Sequence, residues 1–268
     1  MATKQDTNKE NPQPTGMVEW YDTYLYRDLH KEFSAGCEFA NYGYWNTDTT
    51  TYGQACENLV RRLLSFIPDK TGTILDVGCG KGATTKFLTR FYPTEHVTGI
   101  NISKKQLETA RSNLPGVRFL LMDAVSLEFE DARFDAAICV EAAFHFRTRE
   151  QFLREVFRVL KPGGWLVLSD LLMTQAAERD RPLHHEENYV ASPAAYQDLL
   201  EEIGFAKCRV TEELQHTLYG AFRHTARFVH EKFLHRDIDR ETMEELLHRN
   251  YGIIEDSTAY LLVTAQKP

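Results

Sequence analysis

Short apolar runs alternating with amphipathic stretches set the rhythm of the chain from residue 73 onward. The run TILDV, residues 73–77, breaks off in the glycine-rich segment GCGKG, and a helical pattern starts at Ala83 and continues through TTKFLTRFY. A second strand, HVTGINI, is followed by Ser103 and Gln106 in the Ser-x-x-Gln spacing of a helix start. VRFLLMD predicts a third strand ending at Asp123, and FDAAICVE a fourth ending at Glu141. Thr148 and Gln151 open another helix, with Phe152, Val156, Val159 and Leu160 on its inner face. It stops at the Lys-Pro-Gly-Gly turn from Lys161, before a fifth strand, WLVLSD, that ends at Asp170. Near-continuous apolar strands alternating with helices predict an α/β domain with a parallel sheet covered on both faces.

The flanks read differently. Residues 1–16 contain almost nothing apolar and no hydrophobic stretch of the kind a secretory signal needs, so a disordered tail is expected there. Residues 17–59 are rich in Tyr, Trp and Phe and predict an N-terminal helical cap, with a helix near 53–66 that places Cys56, Leu59, Val60, Leu63 and Leu64 on one face. After Asp170 come a polar stretch (171–191), a helix from Ser192 to Ile203 ended by Gly204, and a sixth strand near 206–211. A charged helical segment at about 220–249 precedes the last apolar run, AYLLVTAQK. The expected division is a core of 60–215 and 256–268 with a lid insertion, 216–255, over a substrate pocket.

Composition narrows the partners. A chain of 268 residues with 43% hydrophobic and 26% charged residues is an ordinary globular one, and no run of ~18 apolar residues is present to cross a bilayer. Lys and Arg total 31 against 39 Asp and Glu, a net charge of −8, which supplies no positive field for nucleic acid. The five cysteines are never spaced as CxxC, so neither a disulfide framework nor a zinc site is expected, and a reducing cytoplasm fits best. The run of His184, His185, Glu186 and Glu187 reads as a polar loop rather than a metal site, because adjacent residues of an extended chain point in different directions.

Ligands of an open parallel sheet bind beyond the carboxyl ends of its strands, beside the first loop. That loop carries Asp76, Gly78, Gly80 and Gly82, an acid followed by GxGxG, which is not the GxGxxG spacing of dinucleotide binders. The acid-x-Gly-x-Gly-x-Gly loop resembles motif I of the class I S-adenosylmethionine-dependent methyltransferases. The resemblance extends from about residue 40 to the end, through GINIS and Gln106, Met122 to Ala124, the turn at Lys161, and Tyr42 to Trp45. The GINISxxQ form is similar to the small-molecule branch that includes sterol, antibiotic-sugar and prenyl-chain methyltransferases and the cyclopropane fatty acid synthases.

The resemblance implies a Rossmann-like, doubly wound sheet of seven strands, six parallel and one antiparallel, with a helical cap or lid. It implies S-adenosylmethionine as cofactor, a small-molecule acceptor, and a monomer or homodimer. Cofactor contacts would come from Tyr42, Asp76, Gly78, Cys79, Gly80, Asn101, Ile102, Gln106, Asp123, Ala124 and Glu141. Asp76 would face the methionine ammonium and Tyr42 close over its carboxylate, while Asp123 and Ala124 would meet the adenine. Asn101 stands where many relatives have an acid, and Gln106 either grips the ribose or only closes the helix cap.

For the transfer itself His145 and Asp170 are the expected dyad, the carboxylate orienting the imidazole as base, with Glu141 a second acid facing the cofactor amine or the acceptor, or else a solvated loop acid. His145 as a mere positioning residue stays open at this point. The expected reaction is methylation of a hydroxyl or nitrogen of a hydrophobic metabolite. The alternative is carbon methylation of a prenyl diphosphate, with Arg179, Arg181, Arg223 and Arg227 as its clamp. A nicotinamide-binding or catalytically silent protein on the same sheet is the remote reading. The aromatic residues Tyr219, Phe222, Phe228 and Phe233 read as core packing, or else as a pocket wall.

Overall fold

β1 (Ile74–Val77), β2 (Val97–Asn101), β3 (Arg118–Leu121), β4 (Phe134–Val140), β5 (Leu160–Met173), β6 (Ala206–Glu212) and β7 (Ser257–Gln266) form one sheet. The computed structural model in which they are seen describes residues 15–180 and 185–268. The strand order is β3-β2-β1-β4-β5-β7-β6, with β7 antiparallel to both its neighbours and the other six strands parallel. The order reverses between β1 and β4, and the crevice at that point is where an open sheet places its ligand.

Alternate residues of each strand feed two cores. Ile74, Ile138, Val167 and Leu262 face α3 (Tyr52–Leu64), α4 (Ala83–Leu88) and α5 (Lys104–Asn113), after α1 (Thr15–Tyr24) and α2 (Asp28–Phe33) have been laid down ahead of them. Leu75, Val77, Ala137, Leu166 and Val263 face α6 (Arg149–Val159) and α8 (Pro193–Ile203), with Phe152, Val156, Tyr196 and Leu200 filling that side, while α7 (Gln175–Asp180) adds Ala177 to the first core. Local chemistry sets the ends of these helices. Thr51, Ser103, Thr148 and Ser192 each accept from the backbone N–H three residues on, and Gly204 leaves α8 at φ +111°.

Several expectations are corrected by the backbone. β5 does not end at Asp170, because Leu171, Leu172 and Met173 continue the antiparallel ladder with Tyr260, Ala259 and Ser257, so part of the expected polar stretch is strand. The charged helical segment consists of two helices, α9 (Leu218–Leu234) and α10 (Arg240–Asp256). The break falls where Arg236 takes φ +63° and Asp239 caps the next helix through the N–H of Thr242. α3 runs across the boundary expected at residue 59, so cap and core share a helix. Of the expected tail, residues 1–14 lie outside the described residues, while Thr15 and Gly16 open α1. Among the described residues no helix is long and apolar enough to cross a membrane.

Candidate functional site

The turn from β1 to α4 begins with Asp76, buried beneath the loop, whose Oδ2 accepts from Thr85 Oγ1 at 2.6 Å. Burial lifts its carboxyl to about 7 against the pull of that hydrogen bond. Gly78 (φ +72°) packs so closely on the next strand's loop that a Cβ would stand 2.6 Å from Ala142 Cβ. At Gly80 (φ +54°) the nearest atom to such a Cβ is Gln106 Oε1 at 3.7 Å, so this glycine leaves room above the loop. Cys79 between them is buried, its N–H given to Ile100 O at 2.9 Å, and burial pushes its thiol well up, which suits a filler and not a nucleophile.

At the end of β2, Asn101 turns its Oδ1 back to the N–H of Ile102 at 2.8 Å and gives Nδ2 to Gln106 Oε1 at 3.1 Å. Gln106 in turn donates to Asp22 Oδ1 at 3.0 Å, and Ser103 Oγ donates to the same oxygen at 2.6 Å. Asp22 comes from α1, 84 residues away in sequence from Gln106. Position 101 carries an amide, and this carboxylate stands among the same polar groups. Asp123 caps the turn after β3 by accepting from the N–H of Val125 at 3.1 Å, and Ala124 is buried beside it.

Glu141 is held in the left-handed region at φ +51°, a strained setting for a non-glycine residue. Its carboxylate accepts from the N–H of Tyr42 at 2.8 and 2.9 Å and from Tyr260 Oη at 2.6 Å. It therefore ties the N-terminal cap to β4 and β7. Burial raises this carboxyl to about 8, opposed by its hydrogen bonds. Tyr42 is half-buried, and its carbonyl accepts from Trp45 Nε1 at 2.8 Å.

His145 ends a short turn after β4 and is buried, with Nε2 2.6 Å from the hydroxyl of Tyr21 on α1. The expected dyad with Asp170 does not form. The Asp170 carboxylate lies within β5, fully buried, and is taken by Arg149, Nε to Oδ2 at 2.7 Å and Nη2 to Oδ1 at 3.3 Å. Arg149 also reaches Glu178 at 3.3 Å and the carbonyls of Leu171 and Asn188. The physical reason is the continued strand: Asp170 faces the α6 side of the sheet, and a buried charge there needs a buried partner.

Two cavities meet at this point. One, of about 130 Å³, is walled by Gly78 to Lys81, Asn101, Ile102, Gln106 and the α1 residues Met17, Val18 and Tyr21. The other, of about 440 Å³, lies under α9 and α10 and is walled largely by aromatic and aliphatic side chains, Phe222 and Phe228 among them. These two phenylalanines are pocket wall, not core. Tyr21, Asn41, Glu141 and His145 line both cavities, and Tyr42 lines the larger. Asp76, Asp123, Ala124 and Asp170 line neither.

The donor set of the smaller cavity fits S-adenosylmethionine: open space at Gly80, amides at 101 and 106 for hydroxyl groups, with Asp22 bonded to Gln106 behind them, and the Glu141 carboxyl in the wall. Sequence reading missed Tyr21 and Asp22, which no motif marks. Among the described residues no His, Cys, Asp and Glu cluster is arranged to hold a metal. His184 lies outside the described residues.

The chain matches the family model of a methyltransferase domain over residues 75–168. It is 31% identical, over 96% of its own length and 98% of the relative's, to a 27-O-demethylrifamycin SV methyltransferase of Amycolatopsis mediterranei. It is 33% identical to the O-methyltransferase cnsE of Penicillium expansum, covering 75% of this chain and 76% of that one. Among solved structures the cyclase SpnF superposes with a TM-score of 0.73 at 24% identity, over 96% of this chain and 97% of that one. A geranyl diphosphate C-methyltransferase from Streptomyces coelicolor superposes with a TM-score of 0.71 at 14% identity, over 97% and 99% of the two chains. These two likenesses establish the fold.

Proposed function

The chain belongs to the S-adenosylmethionine-dependent methyltransferases that act on small molecules, and on that premise we propose that it methylates a hydroxyl oxygen of a hydrophobic acceptor, with His145 taking the proton. One observation carries the reading: His145 lines both the cavity beside the glycine loop and the larger aromatic one, so it stands where the two reactants must meet. The Penicillium relative is named an O-methyltransferase and the Amycolatopsis one a methyltransferase of 27-O-demethylrifamycin SV, which supports oxygen as the acceptor atom.

When bound, the cofactor supplies an electrophilic methyl group on a sulfonium. Around it the residues of this chain have separate tasks. Glu141, in the wall of both cavities, presents its carboxyl group toward the cofactor, and Asn101 and Gln106, the latter held by Asp22, provide the polar edge for hydroxyl groups. The aromatic walls exclude water and hold the acceptor in line, which is the larger part of catalysis for a displacement of this kind. An acceptor oxygen reaches the base by taking Tyr21's place on Nε2, or by donating to the phenol while the phenol donates to Nε2. In both arrangements the imidazole ends with the proton, and its neutral form is the competent one.

Carbon methylation of a prenyl diphosphate is the second reading. Of the clamp expected for it, the three described residues do not line the larger cavity, Arg179 pairing with Asp180 and Arg227 with Glu231 and Arg223 standing outside the wall, while Arg181 lies outside the described residues. Arg27 and Arg249 do line that cavity and are the observation in its favour. Incubation with methyl-labelled S-adenosylmethionine and either a hydroxylated aromatic or geranyl diphosphate decides the matter. A labelled methyl ether is expected, and a labelled prenyl carbon in place of it would reject the oxygen reading.

A further inference from the structure

His30 on α2 lines the larger cavity and is only 6% exposed, yet neither ring nitrogen has a hydrogen-bond partner. Its ring is packed beside Tyr24, centroids 4.8 Å apart, and Phe33 at 6.3 Å, so it cannot swing to solvent without breaking that aromatic wall. A buried polar group left unpaired is destabilising, and native structures pair such groups with protein, water or ligand. Burial, with Lys81 adding to it, lowers this imidazole to about 4, so the ring is neutral near pH 7. Neutral imidazole offers one N–H donor and one lone pair.

A hydroxyl is the group that matches this pair, being at once donor and acceptor. A carboxylate or phosphate would use only the N–H. His30 sits on the cap, on α2, whereas His145 follows β4, so the two imidazoles belong to different elements of one cavity. We propose that His30 is a recognition residue for the acceptor, binding a second hydroxyl of a polyhydroxylated aromatic molecule whose first hydroxyl is presented to His145. The proposal rests on the oxygen-methylation reading above and deepens it by giving the acceptor two hydroxyls, one for each imidazole of an aromatic pocket.

The test is binding to the full-length protein saturated with S-adenosylhomocysteine, so that no turnover occurs, with naphthol and dihydroxynaphthalene as probes followed by calorimetry. Wild type is expected to bind the dihydroxy probe about tenfold more tightly, the ratio of one good hydrogen bond. His30→Leu should bind the two probes equally, and His30→Gln should keep part of the preference because the amide also donates and accepts. A preference that survives in His30→Leu, equal binding by wild type, or no binding of either probe to wild type would each overturn the assignment. Nitrogen NMR of the His30 ring in wild type gives an answer independent of any variant's folding: its resonances should shift with the dihydroxy probe and not with naphthol, and an unchanged spectrum also overturns it. Labelled methyl transfer is scored separately, so a carbon-methylated product would reject the oxygen reading while leaving the binding preference to decide the role of His30.

Discussion

The hydroxyl of Tyr21 lies 2.6 Å from Nε2 of His145, across 124 residues of sequence, and by that contact the N-terminal helix reaches the centre of the site. Burial and the neighbouring Glu141 raise the phenol of Tyr21 above its ordinary range, so it remains a protonated donor near neutrality. Tyr21→Phe should therefore leave the fold intact and slow turnover of an oxygen acceptor by about tenfold, the worth of one hydrogen bond to a reacting group. Steady-state kinetics would read this as a fall in kcat, and an unchanged kcat would show that Tyr21 only packs.

Asp170 gives the opposite expectation. Bonded to Arg149 and fully buried, it supports the sheet rather than the base. Asp170→Asn should cost about 3–5 kcal/mol of stability, as breaking a buried ion pair does, while the pH dependence of kcat keeps its shape. Denaturant unfolding and a pH–rate profile measure the two separately. A displaced pH profile with little loss of stability would restore the dyad.

Glu141 holds its proton in the fold at pH values where an unfolded chain has released it, its carboxyl being raised from 4.5 to about 8. Folding therefore takes up a proton between these values, and the stability contributed by this group is full below about pH 4.5 and declines as pH rises to about 8. Glu141→Gln removes the titration, so its melting temperature should change less than that of wild type between pH 5 and 8. A difference of about 1 kcal/mol corresponds to ~2–4 °C at this chain length. Parallel curves for the two proteins would contradict the assignment.

The two loop glycines should separate fold from cofactor binding. Gly78→Ala forces a left-handed alanine against Ala142 and should lose about 1–3 kcal/mol as well as cofactor affinity. Gly80→Ala meets nothing nearer than 3.7 Å, so its cost is mainly backbone strain of about 1 kcal/mol, together with weaker S-adenosylhomocysteine binding in the calorimeter. Equal melting temperatures with undiminished affinity in both variants would mean the loop does not carry the ligand.

The parts of this arrangement that sequence made legible are local ones. The acid and glycines of the first loop, the strand ends at Asn101 and Glu141, and the caps at Ser103 and Thr148 are each set by residues within a few positions. The contacts that complete the site are long-range: Asp22 with Gln106, Tyr21 with His145, and Glu141 with the N–H of Tyr42 join the cap to the sheet without periodicity or motif. Asp170 misled because a polar residue after an apolar run looks like a strand end. The apolar residues that follow it, Leu171 to Met173, were the available signal that the strand continued. The partner Arg149, in the first turn of a helix whose exposed face is also charged, carried no mark of its burial.

The central claim, that His145 is the base for methylation of an oxygen, is tested most directly by a single-turnover rate with a dihydroxynaphthalene acceptor under saturating cofactor, comparing wild type with His145→Ala. The variant should form the O-methyl product ~10²–10⁴-fold more slowly, with S-adenosylhomocysteine affinity unchanged. An equal single-turnover rate in the two proteins, or methyl delivered to carbon, would contradict it.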